Sequence, residues 1–299
     1  MSARDDSNAA DALPSVSVVI PTLNAERTLG VQLDALARQT TARVFEVLVA
    51  DNGSTDGTRG IVDAHARCLR HLRWVDASAR RGSNVARNIG TREARSDLIL
   101  LCDSDDEVAD DWVETMSTAL QDTGGVGGRL ERARLNGEYA QKWGTPGGAG
   151  GVDVHLGFLP RPIGANAGFR KSIWDQLGGF DERYVRGGTE TEFYWRLQLA
   201  GHDLVDVPDA VVHYRMRSSF RTSVKQMYIW GRQHPMLYRD FRAHGMRYRP
   251  MDTLRRYKGL LHHVRLAATS RNGKLYLCRE VAYLLGRIVG SYRYRVFFL

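Results

Sequence analysis

Three carboxylates fall within four positions at Asp103-Ser104-Asp105-Asp106, directly after the apolar run Leu98-Ile99-Leu100-Leu101-Cys102. Acids this close repel one another unless a cation or several hydrogen-bond donors hold them. Asp103 and Asp105 bracket one residue, so an extended or turning backbone lets both reach a single hard divalent ion. An all-oxygen ligand set suits Mg²⁺ or Mn²⁺, which share their coordination with substrate phosphates. A second reading makes the same acids the N-cap and first turn of a helix over 108–120, where they complement the helix dipole. The residues by themselves leave both readings open.

The run ahead of the acids reads as a strand buried on both faces, as in a parallel sheet. Three more strands precede it. Residues 16–20 end in Pro21-Thr22-Leu23-Asn24, and residues 45–50 exit into Asp51-Asn52-Gly53-Ser54, a dense turn signal. Residues 72–75 lead to the polar loop 79–83, which holds Arg81. Leu29, Leu33 and Leu36 place a helix between the first two strands, another runs to about Cys68, and a third covers 84–94. This alternation implies right-handed βαβ units, whose ligands bind beyond the carboxyl ends of the strands. Pro21, Thr22, Asp51, Arg81 and the acid cluster all lie just past predicted strands and so converge on one place. A dinucleotide-binding fold is disfavoured because no glycine fingerprint follows the first strand. The run Gly124-Gly125-Val126-Gly127-Gly128 lacks the Lys-Ser/Thr of a P-loop. It is read as a flexible connection, with 147–151 as a second one and short mixed strands over 126–139.

Further on, 164–170 reads as a strand that needs close backbone approach, and the helix 171–177 stops at Gly178-Gly179. Around the next helix start, Thr189 and Glu192 have capping-box spacing and Glu192 pairs with Arg196 one turn later. Glu190 sits in that first turn without a part in the cap. Short strands at 205–207 and 210–212 follow, the second ending at His213.

The chain has 299 residues, enough for one large domain or two smaller ones, and three widely spaced cysteines that suggest neither a disulfide framework nor a zinc site. Residues 1–14 read as a loose tail, and no stretch approaches 18 uncharged apolar residues. Charge is unevenly spread: residues 211–299 hold 19 Lys/Arg against 3 Asp/Glu, and the rest holds 23 against 31. In this basic end aromatics alternate with cations, with helical periodicity over 223–244 and 275–288. Three readings of it are a solvated basic face, a patch for anionic membrane or a lipid-linked or acidic glycan acceptor, and a nucleic-acid site. The last is disfavoured because no nucleic-acid motif accompanies the charge.

The motifs VSVVIPTLN (16–24), FEVLVADNGSTDG (45–57), Arg87-Asn88-Ile89-Gly90, the Asp103–Asp106 cluster and GGFDE (178–182) occur in this order. With residues 188–197, the chain resembles the family 2 glycosyltransferases of GT-A fold over about two thirds of its length. The resemblance implies an α/β architecture, a Rossmann-like mostly parallel sheet flanked by helices, with a basic helical C-terminal extension. It divides the chain into a flexible tail (1–14), a GT-A domain (15–215) and the basic region (216–299). It further implies a nucleotide-diphosphate-sugar donor, Mn²⁺ or Mg²⁺, inversion at the anomeric carbon and a glycan or lipid-linked acceptor. The setting would be glycan, glycolipid or cell-envelope polysaccharide synthesis, in the cytoplasm or peripheral to the inner face of the membrane.

By the same resemblance Pro21, Thr22, Asp51, Arg81 and Asp103 contact the donor, and Asp105, Asp103 and His213 are the metal ligands, with Asp106 a third member of the cluster. Family members carry Glu-Asp before the last motif, where this chain has Thr189-Glu190, so Glu190 stands at the place of the catalytic base, one methylene longer, with Glu192 behind it. The alternatives are a sugar-phosphate nucleotidyltransferase and a non-catalytic nucleotide-sugar or glycan-binding module.

Overall fold

A computed structural model of the chain describes residues 13–137, 151–217 and 219–299. Most of the expected tail, the second glycine-rich connection up to residue 150 and the last residues of 126–139 lie outside the described residues. Strands β1 (Val16–Thr22), β2 (Phe45–Asp51), β3 (Leu72–Asp76) and β4 (Leu98–Cys102) pair in parallel in the order β3-β2-β1-β4. They alternate with α1 (Leu29–Ala37), α2 (Thr58–His65) and α3 (Ser83–Glu93). Beyond β4 the sheet continues through β9 (Asn166–Arg170), β6 (Gly125–Glu131), β10 (Leu204–His213) and the two-residue edge strand β5 (Glu107–Val108). β6 and β10 are parallel, whereas β9 runs antiparallel to both of its neighbours. Strands β7 (Asp153–His155) and β8 (Leu159–Arg161) form a separate hairpin.

Strand alternation divides the core between the two faces of the sheet. Val18, Ile20 and Leu100 pack against Leu29, Leu33 and Leu36 of α1 and against Trp112 and Met116 of α4 (Trp112–Leu120). Val19, Ile99 and Leu101 point the other way, toward Phe169, Phe180 and the helices α5 (Lys171–Leu177) and α6 (Thr191–Leu199). Helices cover both faces, so β4 is apolar throughout, and the buried polar pair in β1 and β2, Ser17 and Glu46, is satisfied internally, Ser17 Oγ donating to Glu46 Oε1 at 2.7 Å.

The expected flexible connection at 124–128 is a strand. A Cβ on Gly127 would meet Pro162 Cβ at 2.5 Å, and one on Gly128 would collide with the Ala210 carbonyl and the Asn166 amide. The glycines are there because neighbouring backbone approaches closely, and their low hydropathy hides the strand in the sequence. Asn166 is fully buried and ties this region together. Its amide donates to Arg129 O (3.0 Å) and Ala210 O (2.8 Å), and its Oδ1 accepts from Trp112 Nε1 (2.8 Å). The two short strands expected near 205–212 are one strand, β10, with a register irregularity between Val207 and Val211.

Helices α7 (Phe220–Phe241), α8 (Pro250–Thr269) and α9 (Arg271–Tyr294) complete the chain. The periodic segments 223–244 and 275–288 fall in α7, with a short 3-10 turn after it, and in α9. α8 falls within the expected helical C-terminal extension but outside the two periodic segments. α7 docks on the body through Met236, Leu237 and Phe241, the last edge-on to Trp195 at 5.1 Å. α7 and α9 cross so tightly that Cβ atoms on Gly231, Gly286 and Gly290 would strike the backbone of the facing helix. Among the described residues no helix is long and apolar enough to cross a membrane.

Gly128→Ala is expected to lower stability by about 1–3 kcal/mol, because backbone or buried amide must move to admit the methyl. Gly60→Ala in α2, where an added Cβ meets nothing within 4 Å, is expected to gain up to about 1 kcal/mol. Urea unfolding of both variants checks the opposed signs.

Candidate active site

At the carboxyl ends of β1, β2 and β4 lies an open cleft, lined by Pro21, Thr22, Asn52, Arg81, Asp103 and Asp105 among others. Asn52 shapes its floor. The Asn52 N–H donates to Thr22 O (2.8 Å), its side-chain amide donates to Ala77 O (2.6 Å) and Arg80 O (2.8 Å), and its Oδ1 accepts from Gly82 N (2.8 Å). These bonds fold the loop that presents Arg81, whose Nη1 donates back to Asn52 O at 2.7 Å. Asp51, at the end of β2, is nearly buried, and both its oxygens accept from Ser54 N at 3.1 Å.

The three acids after β4 come together. One oxygen each of Asp103, Asp105 and Asp106 lies within 4.8 Å of the others. Burial and the neighbouring acids Asp105 and Glu190 push the Asp103 carboxyl up to about 6, against the pull of Arg87. Asp106 is fully buried, and burial together with its two acidic neighbours holds its carboxyl well above the usual range. Its Oδ1 accepts from Arg215 N (2.7 Å), while Oδ2 has no hydrogen-bond partner among the described residues. Arg215 Nε also donates to Asp105 O (2.7 Å), and Arg217 Nη1 lies 3.3 Å from Asp105 Oδ2. An orphaned buried carboxylate oxygen beside two further carboxylates is a donor set that fits a hard divalent cation.

Arg87, from α3, is the group that the sequence alone did not mark as part of the site. It is 4% exposed, with Asp103 Oδ1 3.8 Å from Nη2 and Glu190 Oε2 3.9 Å from Nη1. Nη1 donates to Thr189 Oγ1 (3.2 Å), which donates in turn to Glu190 Oε2 (2.6 Å). Arg161 of β8 approaches the other oxygen of Glu190 at 3.5 Å. Burial alone would raise the Glu190 carboxyl, but Arg161, Arg87 and the Thr189 hydroxyl outweigh it and hold the group below its ordinary value. The base candidate is therefore ionised at neutral pH. α3 is fixed in place by Asn88, which bonds Phe180 and Glu182, and by Gly90, where a Cβ would strike Val19.

One local expectation is corrected. Thr189 and Glu192 form no capping box: Thr189 is engaged by Glu190, and the buried Glu192 accepts from Asp181 N (2.6 Å) and pairs with Arg196 (2.8 Å). His213, at the end of β10, is outside the group formed by the three acids. Its Nδ1 pairs with Glu131 Oε2 at 2.8 Å, and His213 stands opposite Glu107 in the β10–β5 pairing.

The chain matches the model of "Glycosyl transferase family 2" over residues 17–178. It is 27% identical over 232 residues to the glycosyltransferase AglE of Haloferax volcanii, covering 73% of this chain and 75% of that one. It is 40% identical over 111 residues to the validoxylamine A glucosyltransferase of Streptomyces hygroscopicus subsp. limoneus, covering 36% of this chain and 24% of that enzyme. Among solved structures, the mannosyltransferase PcManGT from Pyrobaculum calidifontis, in complex with GDP-Man and Mn²⁺, superposes with a TM-score of 0.65 at 20% identity, covering 95% of this chain and 89% of that one. S. aureus TarS 1–349 with UDP-GlcNAc superposes with a TM-score of 0.55 at 16% identity, covering 95% and 93%.

In chelator, Asp103 and Asp106 bind protons more tightly folded than unfolded. The Asp103 contribution is fully present below the ordinary carboxylate value of 3.8 and is lost as pH rises through about 6, and that of Asp106 is lost in the same direction. Asp106→Asn keeps the acceptor for Arg215 N and removes one charge. Its melting temperature should match or fall below wild type near pH 4 and exceed it near pH 7.5. Thermal melts in chelator at both pH values check the crossover; parallel profiles would show that the acids are not crowded.

Proposed function

The chain belongs to glycosyl transferase family 2, and from that membership we propose that it moves a sugar from a nucleotide-diphosphate donor to an acceptor hydroxyl, with a divalent cation and inversion at the anomeric carbon. The observation that carries this reading is the buried Arg87 between Asp103 and Glu190. It joins the carboxylates at the donor cleft and the base candidate in one electrostatic network. The donor and ion named in the PcManGT complex support the donor class and the cation.

In this reading Pro21, Thr22, Arg81 and Asp103 line the donor cleft, and Asp51 shapes it through Ser54. Asp103, Asp105 and Asp106 would hold Mg²⁺ or Mn²⁺, which offsets charge on the departing diphosphate when bound. Arg217, already beside Asp105, adds a second positive group on the same side. Glu190 accepts the proton of the acceptor hydroxyl. Its arginine neighbours keep it ionised but weaken it as a base, so proton transfer accompanies formation of the new C–O bond rather than preceding it. Thr189 and Arg161 hold its two oxygens, which fixes the direction of approach. Single displacement inverts the anomeric carbon without a covalent enzyme intermediate. The acceptor class we favour is a glycan or lipid-linked sugar of envelope or glycolipid synthesis.

Glu190→Gln is expected to lower nucleoside-diphosphate release in the presence of acceptor by about 10²–10⁴-fold while donor affinity is kept. Asp105→Asn is expected to weaken donor binding in Mn²⁺ but not in chelator. Calorimetric titration with UDP- and GDP-sugars reads both. Turnover of Glu190→Gln near wild type, or unchanged cation dependence in Asp105→Asn, overturns the respective assignment.

A further inference from the structure

Helix α8 has one face in use and one without a partner among the described residues. On the used face, Arg256 Nε pairs with Glu280 (2.9 Å) and its guanidinium lies 3.9 Å from the Tyr283 ring centre; Leu260 packs on the Met227–Leu284 cluster, and His263 stacks on Tyr276. On the other side Leu254, Tyr257, Leu261 and Val264 follow three-four-three spacing, which puts them on one stripe. They are 46%, 40%, 66% and 50% exposed. Beside the stripe run Lys258, His262 and Arg265, all exposed, and the sequence from 253 to 269 contains no acidic residue. α9 adds a second stripe, Val281, Leu285, Ile288 and Tyr292, turned away from the glycines that meet α7.

We propose that the α8–α9 hairpin is an interfacial membrane anchor that lays its apolar stripes into the headgroup region of an anionic bilayer, with Lys258 and Arg265 on lipid phosphates. The argument is charge and shape together. An apolar stripe flanked by cations on a helix about 30 Å long, without enough hydropathy to span, is what lying in the interface requires. A second copy of the chain would bring the same basic row against itself, since a two-fold interface presents one patch to its own image. A nucleic acid would satisfy the cations and leave four large apolar side chains in water. An anionic bilayer satisfies both features, and an exposed tyrosine suits its boundary layer.

The test is co-sedimentation of the full chain with vesicles of phosphatidylcholine alone and of phosphatidylcholine mixed with phosphatidylglycerol. Binding is expected on the anionic vesicles and is expected to weaken with salt. Lys258→Gln and Arg265→Gln should each reduce partitioning about fivefold. Leu254→Ser with Leu261→Ser should reduce it at least about tenfold, with an unchanged melting temperature because both positions are exposed. Light scattering of the same proteins without lipid reads oligomerisation. Absence of vesicle binding, binding insensitive to the stripe variant, or a dimer that the stripe variant makes monomeric overturns the proposal.

Discussion

A buried guanidinium stands between two carboxylates of the cleft, and much of the surrounding structure follows from balancing it. Arg87 makes its close bonds to neutral groups, Thr189 at 3.2 Å and Asn84 at 3.4 Å. Its two acidic neighbours stand further off, at 3.8 and 3.9 Å. It therefore serves two carboxylates at once as a shared counter-charge, without being consumed by either. Removing one partner of such a buried arrangement leaves an uncompensated charge, usually the costliest single defect a core can carry. This explains why α3 is clamped so firmly: Asn84 and Asn88 tie it to 180–189, and Gly90 lets it lie against β1 and β2.

Much of the first half of the fold was legible because its signals are local. Apolar runs of five to seven residues, each ending in polar turn residues, mark β1, β2 and β4, and the rule that ligands bind past such ends marks the cleft. The remainder depends on packing between distant segments, which no local pattern carries. Gly125–Glu131 looks like a linker until Pro162, Ala210 and Asn166 are seen to leave no room for side chains. Thr189 and Glu192 have the spacing of a cap, but Arg87 and Asp181 compete for them and win. Arg161, Arg215 and Arg217 read as ordinary surface cations, and nothing in their neighbourhoods signals the acids they meet. The period of α8 is masked because the pairs Arg255-Arg256 and His262-His263 stand beside its apolar stripe.

The uneven charge along the sequence also gains a spatial meaning. The acid-rich portion and the base-rich portion meet where Arg215 and Arg217, at the opening of the basic stretch, close over Asp105 and Asp106. Past that point the cations divide: Lys258 and Arg265 are exposed, Arg279 and Arg287 are buried, and α7 and α9 close on one another at glycines beside the Met227–Tyr283–Leu284 cluster. The two portions of the chain are thus joined electrostatically at the acids and by apolar packing where α7 meets Trp195 and Tyr184.

That closure also bears on the order in which the molecule can assemble. Arg217 and Asp105 are 112 positions apart, and Arg215 and Asp106 109. The β4–β9 pairing joins residues 98–102 to 166–170, and the edge strand β5 waits for 212–213. Contacts this far apart carry the largest loop-closure entropy and form late. In synthesis the β1–β4 segment and its acids precede the residues that balance them. The cleft is finished only when the chain has been made past residue 217. The acids and the arginines that complete their surroundings are therefore the parts of the site that are furthest separated in the order of synthesis.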